Sequence, residues 1–179
     1  MKILALDLAT STGYAYDDAL GRLQCGTWLL ATDKELKSAR RERMNRRCDP
    51  RISKLFHRIQ NLNRENRFDV IVFEDVPFSS YTWQCQLWSS LRAAVWLAPH
   101  YPPLFEAVPV ATLKLFATGH GGATKEMMVG ELIRQDKRFT IVSGVRDHAF
   151  LGNQILDDNA VDAIWLWKWA QKNLSRIGV

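Results

Sequence analysis

Cysteine is scarce: Cys25, Cys48 and Cys85 are odd in number, widely spaced and never arranged as CxxC. That usage argues against a disulfide framework and against a cysteine-based structural zinc site. Long hydrophobic runs are missing too, since nothing approaches the roughly 20 apolar residues a membrane-spanning helix needs. The N-terminus carries a strand pattern in place of the basic and apolar regions of a signal peptide. A soluble cytoplasmic protein with no membrane contact is therefore expected. Internal repeats, linkers and low-complexity segments are absent, and 179 residues allow one sizeable core but not two. The chain reads as a single domain over residues 1–179.

What the chain has in plenty is apolar residues, 47% of it with seven Trp, and positive charge concentrated in one place. The net charge is +5, and between Asp33 and Arg67 twelve Lys or Arg face five acids. Half of the basic residues thus fall in a fifth of the chain. Clustered cations gain affinity for a polyanion by releasing counterions from its phosphates, so a nucleic-acid partner is one reading. A solvated helix face is the other. Arg47 and Arg51 lie at the centre of this belt and are candidate DNA contacts.

Hydrophobic patterning supplies the elements. Lys2 to Leu8 (KILALDL) predicts a buried strand, the small polar residues Thr10 to Gly13 a turn, and Tyr14 to Tyr16 and Leu23 to Leu30 two further strands in a meander. The basic stretch follows as a loop. Asp49-Pro50 opens a helix with Asp49 as cap and Pro50 at the first helical position, and Ile52, Leu55, Phe56, Ile59 and Leu62 mark its core face. Phe68 to Glu74 (FDVIVFE) is a continuous apolar run, the mark of a central strand. A helix over Trp83 to Leu97, a strand over Leu104 to Val108 and a short helix over Val110 to Ala117 come next. After the Gly119–Gly122 turn, a helix runs to about Arg134. Residues 136–156 read mostly as loop with a short strand near Phe139, and a last helix spans Asp157 to Leu174. A strand meander followed by alternating strands and helices predicts an α/β fold: a five-stranded mixed sheet with helices on both faces.

Two strands end in a carboxylate, Asp7 and Glu74, inside segments that otherwise avoid charge. Asp158 and Asp162 lie one turn apart on the same face of the last helix, and Asp162 sits among Ala160, Val161, Ala163 and Ile164, which turns it inward. Each has a structural explanation when taken singly: a turn former, a strand end, or a helix N-terminal acid with Asp157 as the cap. Taken together they predict an all-oxygen site for Mg²⁺, with Mn²⁺ able to substitute. Two such ions about 4 Å apart suit in-line phosphodiester hydrolysis.

The order DLATSTG (7–13), VIVFE (70–74), GHGGATK (119–125) and DDNAVDA (157–163) resembles the RuvC-type Holliday-junction resolvases of the ribonuclease H-like superfamily, the phage-type members in particular. The resemblance spans nearly the whole chain. It implies a ribonuclease H-like five-stranded mixed sheet and a Mg²⁺-dependent endonuclease that is a homodimer, cuts four-way DNA junctions and needs no small-molecule cofactor. By motif position Asp7, Glu74 and Asp162 match the metal-binding carboxylates. Many relatives carry an acid or His three residues before the last Asp, where this chain has Asn159. Asp158, four before, fits the same face and is preferred to Asp157 as the fourth ligand. Lys114 and Lys125 match basic positions that serve the scissile phosphate and DNA backbone, Lys125 being counted with the catalytic residues. Phe78 matches an aromatic position near the junction centre, with Tyr81 and Trp83 available for base stacking. Arg146, beside His148, is a further candidate DNA contact.

Three other readings compete: a flap, fork or RNA–DNA hybrid nuclease with the same site, a module that binds branched DNA without cutting it, and a sugar-kinase or actin-type phosphate-binding fold. The last shares the DLATSTG pattern, but 179 residues are too few for its two lobes.

Overall fold

The structure is a computed structural model that describes residues 1–41, 49–76, 82–140, 149–151 and 154–174. Three strands, β1 (Ile3–Asp7), β2 (Ser11–Asp17) and β3 (Leu23–Leu29), form an antiparallel meander. Two helices follow, α1 (Asp33–Arg41) and α2 (Pro50–Asn66). Next come β4 (Val70–Asp75), α3 (Thr82–Leu97), β5 (Leu104–Pro109), α4 (Val110–Thr118) and α5 (Lys125–Gln135). Three short strands, β6 (Phe139–Thr140), β7 (Ala149–Leu151) and β8 (Gln154–Leu156), precede the last helix, α6 (Asp158–Leu174).

The main sheet has the order β3-β2-β1-β4-β5, with β4 parallel to both β1 and β5. Alternation along each strand sends successive side chains to opposite faces. Leu4, Leu6, Ile71 and Phe73 point one way, into a core shared with Leu55 and Ile59 of α2 and Leu91 and Val95 of α3. Ile3, Ala5, Val70, Val72 and Val108 point the other way, toward Leu113 of α4, Met128 and Leu132 of α5, and Ile164 and Trp165 of α6. This is the expected mixed sheet with helices on both faces.

Two expectations are corrected. Part of the basic stretch read as loop is helical: Thr32 and Glu35 form a capping box, the Thr32 backbone N–H donating to Glu35 Oε2 at 2.8 Å, and α1 runs to Arg41. The supposed loop over residues 136–156 contains a small antiparallel sheet, β6-β7-β8. Strands of two or three residues are too short to leave a periodic signature. In addition, β2 starts at Ser11, three residues before the expected Tyr14, because Ser11 to Gly13 pair with Thr27 to Leu29 of β3.

Of the aromatic residues of α6, Trp165 and Trp167 are core, 1% and 5% exposed, and the partly buried Trp169 packs against that core. Trp165 Nε1 donates to the Met128 carbonyl at 3.1 Å, tying α6 to α5. On α3, by contrast, Trp83, Trp96 and Leu97 are more than half exposed.

Candidate active site

Strand register delivers the first two carboxylates. Leu6 pairs with Phe73 across the parallel β1–β4 ladder, so Asp7 and Glu74, one residue further on, end adjacent strands on the face that α6 covers. The chain leaves β1 through a turn locked by Thr12. Its fully buried hydroxyl donates to the Ala9 carbonyl at 2.7 Å and accepts the Ala9 N–H at 3.3 Å. Asp7 itself pairs with Gly13 of β2, where the backbone of Asn159 in α6 leaves no room for a side chain.

The N-terminus of α6 is held by Asp157, whose Oδ1 accepts the Ala160 N–H at 3.0 Å and also the Thr27 hydroxyl of β3. One turn further along, Asp162 looks back at the sheet. Burial, then the charge of Glu74, pushes the Asp162 carboxyl up to about 7. Burial followed by the charges of Glu74 and Asp162 raises Asp7 well above the ordinary range, with Asp157 adding to the effect. Burial raises Glu74 as well, and Lys114 and Lys125 oppose it. The three carboxylates thus form one half-buried, mutually repelling set.

The two lysines arrive through a compact helix–turn–helix. Gly119 ends α4 in the left-handed conformation at φ 77°, its N–H returning to the Leu115 carbonyl at 2.9 Å. Thr124 then caps α5 by accepting the Met127 N–H at 3.4 Å. The Gly-rich stretch therefore serves as a helix stop and restart. It brings Lys114 of α4 and Lys125 of α5 to bear on Glu74 and Asp162. Lys125 also donates to Asp158 Oδ2 in an ion pair.

Of the predicted site residues, Asp7, Glu74 and Asp162 come together with Lys114 and Lys125 beside them. Asp158 is turned to Lys125, and Asp157 to Thr27 and the helix cap. Arg51 reaches the turn after Asp7, but its guanidinium is committed: Nη2 to Asp49 Oδ2 at 2.6 Å and Nη1 to the Thr10 hydroxyl at 3.1 Å. Elsewhere in the belt, Lys54 pairs with Glu35 at 2.7 Å, Arg58 stacks on Trp28 and Arg67 on Tyr101, while Lys34 and Lys37 of α1 are exposed. Arg47, Phe78, Tyr81, Arg146 and His148 lie outside the described residues. The sequence reading missed Thr27, whose part depends on a pairing 130 residues along the chain that carries no local signal.

The donor set is all-oxygen, and burial with mutual repulsion makes its ionised form costly, the form that a hard divalent cation stabilises. Among the described residues no three His, Cys, Asp or Glu side chains are gathered into a group that would hold an ion as they stand.

The sheet order, its two helical faces and the placement of the carboxylates at the ends of β1 and β4 define a ribonuclease H-like α/β fold. The chain is similar in structure to Thermus thermophilus RuvC in complex with a Holliday junction substrate, with a TM-score of 0.65, 14% identity and coverage of 99% of this chain and 96% of that one. A second Thermus thermophilus RuvC structure gives a TM-score of 0.56 at 15% identity, covering 96% of each chain. The yeast mitochondrial Holliday junction resolvase Ydc2 gives 0.54 at 15% identity, covering 97% of this chain and 80% of that one. No protein-family model matches the sequence, and no curated protein matches it.

Proposed function

We propose that this protein is a divalent-metal-dependent, structure-selective DNA endonuclease that nicks four-way junctions. The observation that carries the reading is the convergence of Asp7, Glu74 and Asp162 on one face of the sheet, with Lys114 and Lys125 beside them. Asp7, Glu74 and Asp162 would hold Mg²⁺ or Mn²⁺, two ions per site. Such ions, when bound, supply Lewis acidity for in-line displacement at phosphorus. Asp158 is the fourth oxygen donor, and its service as a ligand requires the pair with Lys125 to open.

The remaining tasks fall to the protein's own groups. Lys114 and Lys125 set positive charge at the rim of the carboxylate set, where a phosphodiester would approach, and Lys125 released from Asp158 gains a phosphate oxygen as its new partner. Exposed Lys34 and Lys37 extend the cationic surface along α1. Paired nicks need two sites, so the proposal includes a homodimer, with the exposed Trp83, Trp96 and Leu97 of α3 as apolar surface available for it. Light scattering that finds only monomer at micromolar concentration counts against paired nicking.

The test is cleavage of an end-labelled four-way junction beside a linear duplex, a flap and an RNA–DNA hybrid, with Mg²⁺, with EDTA, and with Asp7→Asn. Paired nicks confined to the junction and lost in both controls establish the reading. Preference for the flap or hybrid keeps the site and changes the substrate. A second reading, a module that binds branched DNA without cutting it, is favoured by the engagement of Asp158 and Asp157 with other groups. It predicts junction binding without product.

A further inference from the structure

We propose that Arg92 is a positioning residue for the candidate active site: it clamps the residues on either side of Glu74 and so fixes the aim of the Glu74 carboxylate. The inference rests on the reading of Glu74 as a metal-binding residue.

The need for a clamp follows from the sheet. The β1–β4 ladder ends at Leu6 and Phe73, so Glu74 and Asp75 extend beyond β1 and, among the described residues, are paired only with β5. The last two residues of β4 are thus held by the sheet from one side, and the residue that carries the chemistry is one of them. Side-chain alternation then decides what else can hold them. Val72 lies in the core beneath α6 and Phe73 in the core beneath α3. Glu74 follows Val72 toward α6, and Asp75 follows Phe73 toward α3.

Arg92 of α3 meets both residues that point its way. Its Nη2 donates to Asp75 Oδ1 in an ion pair, and its guanidinium carbon lies 5.8 Å from the centre of the Phe73 ring. One planar cation therefore fixes residues 73 and 75, and the pleat between them leaves residue 74 a single outward direction, toward Asp7 and Asp162. The pair is partly exposed, with the Asp75 side chain 44% and the Arg92 side chain 29% accessible, so it adds little to stability. Its effect is orientation, the part that groups behind a ligand play in metal sites.

The experiment compares wild type with Arg92→Ala, Arg92→Lys, Asp75→Asn and the Arg92→Ala/Asp75→Asn double variant. Mn²⁺ binding is read by calorimetry without DNA, and the Mg²⁺ dependence of junction cleavage alongside junction affinity in EDTA. Arg92→Ala is expected to weaken Mn²⁺ binding by about 10-fold or more, to raise the half-activating Mg²⁺ concentration in parallel, and to leave junction affinity in EDTA unchanged. Arg92→Lys keeps the charge but not the planar stacking surface and restores part of the loss. The double variant is no worse than Arg92→Ala alone, because both changes cut one contact. Unchanged Mn²⁺ affinity with a lowered melting temperature overturns the proposal. If Arg92→Ala does not fold, Asp75→Asn, which alters almost no volume, carries the test. Wild type that binds Mn²⁺ but leaves every branched DNA uncut defeats the nuclease reading alone, and the calorimetry still decides the role of Arg92.

Discussion

A Cβ on Gly13 would stand 1.9 Å from the backbone carbonyl oxygen of Asn159, so the first turn of α6 rests on bare β2 backbone. Gly13 is also the ladder partner of Asp7. The same absence of a side chain that lets α6 approach therefore sets the height of Asp162 above the carboxylate of β1.

Gly13→Ala is expected to push α6 outward. Overpacking of this kind costs about 2 kcal/mol, which lowers the melting temperature of a chain this long by about 4–8 °C. Circular-dichroism melting with and without Mn²⁺ checks it. Stabilisation by Mn²⁺ is expected to shrink along with the melting temperature, because Asp162 moves away from Asp7 and Glu74.

Asp7→Asn removes one donor from the carboxylate set without changing its size. Under the proposed function junction cleavage falls by several kcal/mol of transition-state stabilisation, about a thousand-fold, while junction binding in EDTA persists. Metal-free protein carrying the change melts higher at neutral pH, since burial and the charges of Glu74 and Asp162 oppose ionisation of Asp7. Gel-shift, cleavage and melting measurements on one preparation separate the three effects.

The Asp162 carboxyl titrates at about 7 in the fold against 3.8 in a model peptide. Below 3.8 both folded and unfolded chains hold the proton. Between 3.8 and about 7 the folded state holds more protons than the unfolded one, so metal-free stability falls as pH rises through that window. The raised carboxyls of Asp7 and Glu74 act in the same direction. Denaturant titrations across this range should show the decline, and saturating Mn²⁺ or Asp162→Asn should flatten it.

Asp136 behaves oppositely. Its Oδ2 accepts from Arg138 Nη2 at 2.7 Å and from Lys168 Nζ at 2.9 Å, tying α6 to the chain between α5 and β6. These partners hold the carboxyl well below its usual value of 3.8, so the stability it contributes is present above that pH and is lost as the solution becomes more acidic. Asp136→Asn is expected to cost about 1–2 kcal/mol at pH 7, and the difference from wild type should fade below pH 3.8. Urea midpoints at the two pH values measure it.

Much of this architecture was legible in the chain. Near-continuous apolar runs marked β1 and β4, Asp49-Pro50 marked the start of α2, and the helical spacing of Ile52, Leu55, Phe56 and Ile59 marked its buried face. The carboxylates stood out for the same reason, because a charge at the end of a dry strand calls for an explanation. The helix α1 was hidden by its high charge, and β7 and β8 by their shortness, since neither offers an apolar period long enough to detect.

By itself the sequence determined which long segments are dry, where the strongly periodic strands and helices lie, and that Asp7, Glu74 and Asp162 occupy positions where charge is costly. Those properties follow from residue type and spacing along the chain. Only the tertiary structure decided that Asp158 turns to Lys125, that the Thr27 hydroxyl shares the Asp157 carboxylate with the helix cap, that Arg51 is spent on Asp49 and Thr10, and that Arg92 grips the end of β4. Each is a choice among several chemically equivalent partners, and it is settled by which elements the packed cores bring within hydrogen-bond reach.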